Sequence, residues 1–506
     1  MADRLRFGTA GLRAALGEGP MRMNVQVVEL AAMAIAAWLP ARSSVIIGRD
    51  ARHGSEDFAN VTARVLAEAG HTPREFKDPV PTPVVAHAVA YSDATGGVMI
   101  TASHNPATDN GYKVYAADGS QIRPAAAAVI EASMSELPWP GEVSTTVPEG
   151  VELLGQAEID AYLDTILSSV KSADHLMVPT LHRTTPGLTI AYTAMHGVGG
   201  GLCTRALESA GHRVLSVPEQ HEPDPDFPTA PFPNPEESGT LDLVMALADE
   251  RDADLVLAND PDADRLAVAV RRPNGWERLT GDQIGVLLGW FILGRTGGDR
   301  AVATTIVSSS LLGKLAAESG ATCHQTLTGF KWLMQTDSPD VPLVFAYEEA
   351  LGYSVLPTIR DKDGISAAVA FAELVAEANE RGQTVDDVLA GLYEIHGVHL
   401  TSQVSVRFEG EDSMETMSEL MDGLRRLPPT EIGGRAVVSS VDLMAGNDEL
   451  PPSNVLIYHL DTGRIIIRPS GTEPKIKAYI EAIANDEESA QERLDTLSKA
   501  ATVLLS

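Results

Sequence analysis

Short apolar runs alternate along the chain with longer stretches in which apolar residues recur at helical spacing. The first strand is predicted at residues 44–50 (SVIIGRD), and the helix that follows at residues 58–70 (FANVTARVLAEAG) ends at Gly70. The same alternation returns at residues 188–211, 241–260 and 301–320. Apolar strands alternating with helices are typical of parallel sheets that are covered on both faces.

The pattern changes near residue 397, where strand-like runs follow one another with less helix between them. These runs lie at residues 398–410, 436–444 and 454–469. We therefore predict three consecutive α/β domains with mixed, mostly parallel sheets, followed by a smaller C-terminal α+β domain. Changes in composition place the four domains at residues 1–150, 151–280, 281–397 and 398–506.

A proline-dense segment, residues 223–235 (PDPDFPTAPFPNP), interrupts the second predicted domain. Disordered linkers carry few aromatic residues, whereas this segment contains Phe227 and Phe232. We predict an ordered loop in which both rings are buried.

Composition and charge disfavour several classes of function. The 506 residues are 44% hydrophobic and 21% charged, an ordinary mix for a globular protein. The formal net charge of −32 disfavours nucleic acid and anionic membranes as partners. An anionic ligand would therefore need a local pocket of basic residues.

The sequence also favours a cytoplasmic protein. The N-terminus lacks the apolar core of a signal peptide, and the apolar run at residues 27–39 is shorter than the ~20 residues that span a bilayer. The two cysteines, Cys203 and Cys323, support neither a disulfide framework nor a cysteine-based metal site.

A first candidate site is TASHNP, residues 101–106, which follows a predicted strand. Ligands bind open α/β sheets at the carboxyl ends of strands, so Ser103 is a candidate nucleophile; a capped turn is the alternative. No GxSxG motif surrounds it, so hydrolase chemistry is not indicated. Lys113 follows a turn predicted at Asn110-Gly111, and an ordinary surface lysine is its alternative interpretation.

A second candidate site is NDPDADR, residues 259–265, which follows the apolar run ADLVLA. The three alternating carboxylates of Asp260, Asp262 and Asp264 suit a hard cation, Mg²⁺ or Ca²⁺. The segment is not an EF-hand loop, because the sixth position counted from Asp260 is Arg265 rather than glycine. An acidic surface turn is the alternative.

Two further segments carry weaker signals. Glu348 and Glu349 could hydrogen-bond sugar hydroxyls, although two acidic residues at the start of a helix are an equal interpretation. RIIIRPSGTEPKIKAY, residues 464–479, combines an arginine, hydroxyls, a glycine and lysines, which favours phosphate binding over a surface hairpin. HGVGGGL, residues 196–202, is a tight strand-to-helix turn rather than a dinucleotide fingerprint, because Leu202 replaces the third glycine.

Taken in order, these segments resemble the α-D-phosphohexomutase superfamily, the phosphoglucomutases and phosphomannomutases. The resemblance spans nearly the whole chain, from FGTAGLR (residues 7–13) through TASHNP, DPDADR and EEALGY to RPSGTEP. It is most similar to the branch that also holds phosphopentomutases and glucose-1,6-bisphosphate synthases, through NGYKVY, PDPDFPT…FPNPEE, TGFKW and DKDG.

The resemblance implies four domains around a central cleft and a phosphoserine mechanism. Ser103 would pass a phosphoryl group to a sugar monophosphate and regain the other group from the 1,6-bisphosphate, with Mg²⁺ bound by Ser103, Asp260, Asp262 and Asp264. Further residues are expected to act in catalysis (Arg13, His104, Lys113 as general acid/base, Arg265), in sugar binding (Lys331, Glu348, Glu349, Gly352, Tyr353) and in binding of the distal phosphate (Arg468, Ser470, Gly471, Thr472, Lys477).

The sugar segment departs from a pattern close to GEESGH that many bacterial hexomutases carry. Leu351 and Tyr353 stand where a hydroxyl and a histidine would be. This departure leaves the identity of the sugar open. Glucose 1-phosphate is the first choice, mannose 1-phosphate the second and a pentose 1-phosphate the alternative. A serine- and metal-dependent phosphatase and a non-catalytic phosphosugar-binding protein are rivals from other classes. A sugar 1,6-bisphosphate is expected as activator, and monomer and homodimer are both left open.

Overall fold

The computed structural model describes residues 4–8, 11–171, 187–410, 412–470 and 474–505. Three α/β domains precede a fourth domain with an antiparallel sheet, which confirms the predicted fold class. Within these ranges, none of the helices combines the length and the apolarity that a membrane crossing requires.

A six-stranded mixed sheet forms the first domain. Its strands are β1 (Leu12–Ala15), β2 (Ser44–Arg49), β3 (Thr72–Phe76), β4 (Gly96–Ile100), β5 (Asp109–Ala116) and β6 (Glu152–Leu154), and its helices are α1 (Val25–Trp38), α2 (Ser55–Glu68), α3 (Thr82–Ala90) and α4 (Pro124–Glu136). The strand order is β1-β5-β4-β2-β3-β6, in which the β1–β5 and β5–β4 pairs are antiparallel and the other pairs are parallel. Since β6 pairs with β3, the first sheet extends past residue 150.

The second domain has a five-stranded sheet in which parallel and antiparallel pairing are balanced. Its strands are β7 (Thr189–Thr193), β8 (Arg213–Ser216), β9 (Leu255–Ala258), β10 (Ala267–Arg272) and β11 (Gly275–Arg278), and its helices are α5 (Gln156–Lys171), α6 (Gly200–Ser209), α7 (Pro218–His221) and α8 (Asp242–Glu250). The strand order is β11-β10-β9-β7-β8, with β8 and β9 parallel to β7.

The burial predicted for the proline-dense segment of this domain is confirmed for one of its two phenylalanines and wrong for the other. Phe227 is 2% exposed, but Phe232 is 52% exposed. The ring of Phe227 is buried because it covers a guanidinium of the first domain, a partner that the sequence pattern does not reveal.

The third domain has a smaller sheet, ordered β13-β12-β14-β15. Its strands are β12 (Ala301–Thr305), β13 (Thr322–Thr326), β14 (Leu343–Glu348) and β15 (Gly352–Ser354), and its helices are α9 (Gly281–Leu293), α10 (Leu311–Glu318), α11 (Phe330–Leu333), α12 (Gly364–Glu380) and α13 (Val385–His396), with a 3-10 turn at Met334–Thr336. Polar caps fix the helix starts: the Thr280 side chain caps α9, and the Asp363 carboxylate accepts from two backbone N–H groups of α12.

The fourth domain is wholly antiparallel in its sheet, ordered β16-β21-β20-β19-β18-β17. Its strands are β16 (Val398–Arg407), β17 (Glu431–Ile432), β18 (Arg435–Asp442), β19 (Leu456–Leu460), β20 (Gly463–Pro469) and β21 (Lys475–Ala484), and its helices are α14 (Ser413–Arg426) and α15 (Glu487–Leu504), with a 3-10 turn at Leu443–Ala445. Sequence-adjacent strands pair here because no helical crossover separates them.

Apolar contacts hold the domains against one another. One continuous core contains residues of all three α/β domains, among them Val85, Leu257 and Leu287. A smaller cluster packs Ile306 and Val307 of the third domain against Ile466 and Tyr479 of the fourth. The loops at the strand ends are thereby held around one central cavity.

Candidate active site

Ser103 lies in the loop between β4 and β5, with its backbone in the left-handed region at a φ of 53°. This conformation is costly for a residue other than glycine, so neighbouring groups must hold it. The Ser103 N–H donates to Thr101 Oγ1 (2.8 Å), and the Ser103 carbonyl accepts from Arg52 Nη2 (2.5 Å). The serine is therefore held in place on both sides of its α-carbon.

Three buried carboxylates lie in the loop after β9. Asp260, Asp262 and Asp264 are at most 1% exposed, and one oxygen from each lies within 4.8 Å of the others. Asp262 Oδ1 and Asp264 Oδ1 are buried without a hydrogen-bond partner. Burying a carboxylate oxygen without a partner costs folding free energy. A set of hard carboxylate oxygens such as this one suits Mg²⁺ as the bound cation.

The serine and the triad are in direct contact across two domains. Ser103 Oγ donates to Asp260 Oδ2 over 2.7 Å, and His104 Nδ1 lies 3.3 Å from the same hydroxyl. Burial raises the pKa of Asp260 to about 8, and the charges of Asp262 and Asp264 act in the same direction. A bound cation would relieve this crowding of negative charge.

Lys113 is buried and lies against the acidic loop. It lies within β5, so the predicted Asn110-Gly111 turn is wrong, and its Nζ donates to Asp262 Oδ2 and Asp264 Oδ2, both at 2.7 Å. Burial would lower the pKa of Lys113, but these two carboxylates raise it. The ammonium therefore keeps its proton and neutralises the acidic loop.

The glycine-rich turn after β7 supports this acidic loop. A Cβ on Gly197 would lie 2.3 Å from the Cα of Pro261, and the Val198 N–H donates to the Pro261 carbonyl (2.8 Å). Only glycine permits this approach. The turn thus connects β7 to α6, and its backbone packs against the triad.

One cavity of about 480 Å³ joins the serine to the loops of the third and fourth domains. The predicted residues that line it are Arg13, Ser103, Asp264, Arg265, Glu348, Glu349, Arg468 and Lys477. With Lys362 the lining holds five basic and five acidic side chains, a higher share of basic residues than in the whole chain, which has 38 basic and 70 acidic residues.

Arg13 and Arg265 lie next to the serine. Arg13 Nη1 donates to the Asn105 side chain (3.1 Å), and the Arg265 N–H donates to Asp260 Oδ1 (3.0 Å). Burial and these two positive charges hold the pKa of His104 well below its usual range. The imidazole beside Ser103 is therefore neutral near pH 7.

The sugar segment forms a hairpin rather than the start of a helix. β14 ends at Glu348, Leu351 takes a positive φ of 63°, and β15 returns antiparallel from Gly352. Glu348 and Glu349 line the cavity, and Thr305 and Ser308 hydroxyls donate to Glu349. The helix interpretation of these two acidic residues is wrong.

Three predicted sugar residues lie away from the cavity. Tyr353 is fully buried and its hydroxyl donates to the Gly281 carbonyl (3.3 Å). Gly352 packs beneath the side chain of Lys362. Lys331 lines a separate small cavity beside Phe7, while its neighbours Thr328, Gly329 and Phe330 line the central one.

Two of the predicted phosphate residues face the cavity from neighbouring strands. Arg468 on β20 and Lys477 on β21 are register partners and both line the cavity. Ser470 lies at the end of β20, and its N–H donates to the Lys475 carbonyl (2.8 Å). Gly471 and Thr472 lie outside the described residues.

Sequence reasoning assigned no role to several cavity residues. Lys362 Nζ lies 3.2 Å from Asp264 Oδ2 and 3.4 Å from Asp361 Oδ1. Other such residues are Gln121, Asn234, Glu236, Glu237, Gln403 and Tyr479. The segments DKDG, FPNPEE and RIIIRPSGTEPKIKAY carried part of this signal, whereas Gln121 and Gln403 have no motif around them.

Comparison with protein-family models then places the chain. The models described as phosphoglucomutase/phosphomannomutase alpha/beta/alpha domains I, II and III match residues 4–139, 160–275 and 280–395, and the C-terminal domain model matches residues 428–498. The chain belongs to the phosphoglucomutase/phosphomannomutase family. The resemblance read from the five sequence motifs is thus confirmed, and the chain is an enzyme of the phosphomutase class.

Relatives of this phosphomutase carry different substrate names. It is 38% identical to the Haemophilus influenzae protein named "Probable phosphomannomutase", in an alignment that covers 93% of this chain and 95% of that protein. It is 35% identical to human phosphopentomutase over 97% of this chain and 87% of that one. A phosphoglucomutase/phosphomannomutase family structure from Burkholderia thailandensis shares its fold, with a TM-score of 0.73, 20% identity and coverage of 98% and 97%.

Proposed function

We propose that the protein interconverts sugar 1-phosphates and sugar 6-phosphates through a phosphoserine at Ser103 and a 1,6-bisphosphate intermediate, with glucose preferred and mannose second. One observation carries the proposal: a single cavity is lined both by Ser103 with the acidic loop and by the basic pair Arg468 and Lys477. A phosphatase needs the first feature alone. A mutase must hold one phosphate while the other is transferred.

In this proposal Asp260, Asp262 and Asp264 hold Mg²⁺, which supplies charge neutralisation to the transferring phosphoryl group. Arg13 and Arg265 add positive charge beside Ser103. Phosphoryl transfer depends mainly on positioning and on charge. Positioning is provided by the fixed backbone of Ser103, which its neighbours hold at a positive φ.

The attacking hydroxyl is the sugar's when Ser103 carries the phosphoryl group and Ser103's own when the bisphosphate returns one, so each step needs a proton acceptor near Ser103. His104 is neutral and lies 3.3 Å from the Ser103 hydroxyl, so it is the better placed of the two groups predicted for acid/base work. Lys113 instead acts through Asp262 and Asp264, whose orientation it fixes.

Sugar binding is proposed for Glu348 and Glu349, and distal phosphate binding for Arg468 and Lys477 with the turn that contains Ser470, Gly471 and Thr472. A cytoplasmic location, independence from nucleic acid and membranes, and activation by a sugar 1,6-bisphosphate are parts of the same proposal. They rest on the acidic charge, the two free cysteines and the family's chemistry.

The test is ³¹P NMR of the purified protein with Mg²⁺, glucose 1-phosphate and a trace of glucose 1,6-bisphosphate. We expect glucose 6-phosphate without inorganic phosphate, no turnover in Ser103→Ala with substrate binding retained, and about a tenfold rise in KM for Arg468→Ala. Accumulation of inorganic phosphate would instead identify a phosphatase. Full turnover in Ser103→Ala would refute the phosphoserine mechanism.

A pentose 1-phosphate is the second candidate substrate, favoured by the identity to human phosphopentomutase. The same NMR assay with ribose 1-phosphate compares kcat/KM for the two sugars directly. A higher kcat/KM for ribose 1-phosphate would replace glucose in the proposal and leave the phosphoserine mechanism unchanged.

A further inference from the structure

Arg52, from elsewhere in the first domain, binds four backbone carbonyls of the loop that carries Ser103. Arg52 Nη2 donates to the Ser103 and Asn105 carbonyls (2.5 and 2.6 Å), and Nη1 donates to the Pro106 and Asp109 carbonyls (2.7 and 3.2 Å). A planar guanidinium that donates hydrogen bonds to four carbonyls fixes both the position and the tilt of the loop.

The orientation of this guanidinium is itself set from two directions. Arg52 Nε lies 3.2 Å from Asp50 Oδ2, and both side chains are 1% exposed. The guanidinium carbon lies 4.8 Å from the ring centroid of Phe227, which belongs to the second domain. Arginine stacks on aromatic faces through its plane, so the ring restricts rotation of the guanidinium.

Phe227 is buried against Arg52 rather than in an apolar core. It is 2% exposed, yet it lies outside the apolar clusters found among the described residues. Its backbone takes a positive φ of 45°, which is costly for a bulky residue. The Ala230 N–H donates to its carbonyl (2.9 Å), so the loop closes around this conformation.

We propose that Phe227 is a positioning residue for catalysis: its ring holds Arg52, and Arg52 holds Ser103 in the orientation that meets the acidic loop. The inference rests on the proposed function of Ser103 as phosphoryl carrier. It makes the geometry of the serine depend on contact between the first and second domains, the same two domains that supply Ser103 and Asp260.

A neighbouring contact across the same boundary does not carry this role. His53 Nε2 lies 2.7 Å from Asp226 Oδ1, but the two side chains are 52% and 75% exposed. Exposed pairs of this kind contribute little. Phe227 and Arg52 provide the buried link.

The test compares Phe227→Leu with Phe227→Tyr, which keeps the ring, and with Phe232→Leu, the same change at an exposed position of the same loop. The first readout is hydrogen exchange by mass spectrometry over residues 101–111, where the Ser103, Asn105 and Asp109 N–H groups are hydrogen-bonded. The second is kcat and KM at saturating Mg²⁺, since Phe227 does not line the cavity.

We expect Phe227→Leu to raise exchange in this segment about tenfold and to lower kcat about tenfold, with KM changed less than about twofold. Phe227→Tyr and Phe232→Leu should behave like the wild type. If Phe227→Leu lacks a cooperative thermal transition, Phe227→Met replaces it, because methionine keeps the volume without the ring.

Wild-type exchange in Phe227→Leu would overturn the inference whatever the substrate is. An unchanged kcat in that variant, measured where the wild type turns over, would overturn it as well. If the wild type shows no mutase turnover while exchange rises as expected, the proposed function fails and the positioning contact stands.

Discussion

Glu349 faces the cavity, and among the residues that the structure describes its carboxylate accepts hydrogen bonds from the hydroxyls of Thr305 and Ser308. Burial raises its pKa from 4.5 to about 7, and the charges of Glu348 and Asp282 act in the same direction. Between these two values the folded protein binds more protons than the unfolded chain. Its stability therefore falls as the pH rises from 4.5 through 7.

Glu349→Gln should remove this titration. We expect the variant to be more stable than the wild type at pH 8 by about 1 kcal/mol, an amount reduced because the side chain is partly exposed to the cavity. The advantage should fade as the pH falls towards 4.5. Thermal unfolding across this pH range tests it, with Glu492→Gln on the surface of α15 as the control. An advantage that is equal at pH 8 and pH 4.5 would contradict the assignment.

Among the elements, the strand-to-helix turn at residues 196–202 links a sequence motif to the acidic loop through backbone alone. Gly197→Ala would place a Cβ 2.3 Å from Pro261, so the loop that carries the triad must move. Overpacking of this kind costs roughly 1–3 kcal/mol.

We expect Gly197→Ala to raise the Mg²⁺ concentration for half-maximal activity about tenfold, because that cost is borne by the metal-binding loop. Gly201→Ala is the matched control, since nothing lies within 4 Å of its added methyl group in α6. The control should retain wild-type activity. An unchanged Mg²⁺ requirement in Gly197→Ala would show that the loop adjusts without disturbing the triad.

Sequence reasoning succeeded where chemistry follows a strand directly. Ser103 after β4 and the aspartates after β9 were predicted because strand ends are marked by local composition. It did not reveal partners that are remote in sequence. Lys113 is tied to Asp262 and Asp264 of another domain, and Tyr353 turns into the core towards Gly281. Local patterns contain no information about such long-range partners.

Across the whole molecule, the fourth domain is joined to the sugar segment through one buried polar network. Arg464 Nε donates to Glu481 Oε2 (2.8 Å), and its Nη2 donates to the Ser308 carbonyl (2.5 Å). The Ser308 hydroxyl donates in turn to Glu349 (3.1 Å). Although burial raises the pKa of Glu481, the His399 and Arg464 contacts hold it at about 2, so the network is charged at neutral pH.

This network connects the domain that carries Arg468 and Lys477 to the residue proposed to bind the sugar. Arg464→Met leaves the Glu481 carboxylate buried without its arginine, a change that typically costs about 3–5 kcal/mol. We expect KM for the sugar monophosphate to rise at least tenfold, because both the phosphate pair and Glu349 lose their support. Arg435→Met is the control, since the Arg435 side chain is 40% exposed and its contact with Asp461 is long, at 3.7 Å. Differential scanning calorimetry should show a separate, earlier transition for the fourth domain in Arg464→Met alone. A single transition with an unchanged KM would mean that the apolar contact of Ile306 and Val307 with Ile466 and Tyr479 is sufficient to hold the domain in place.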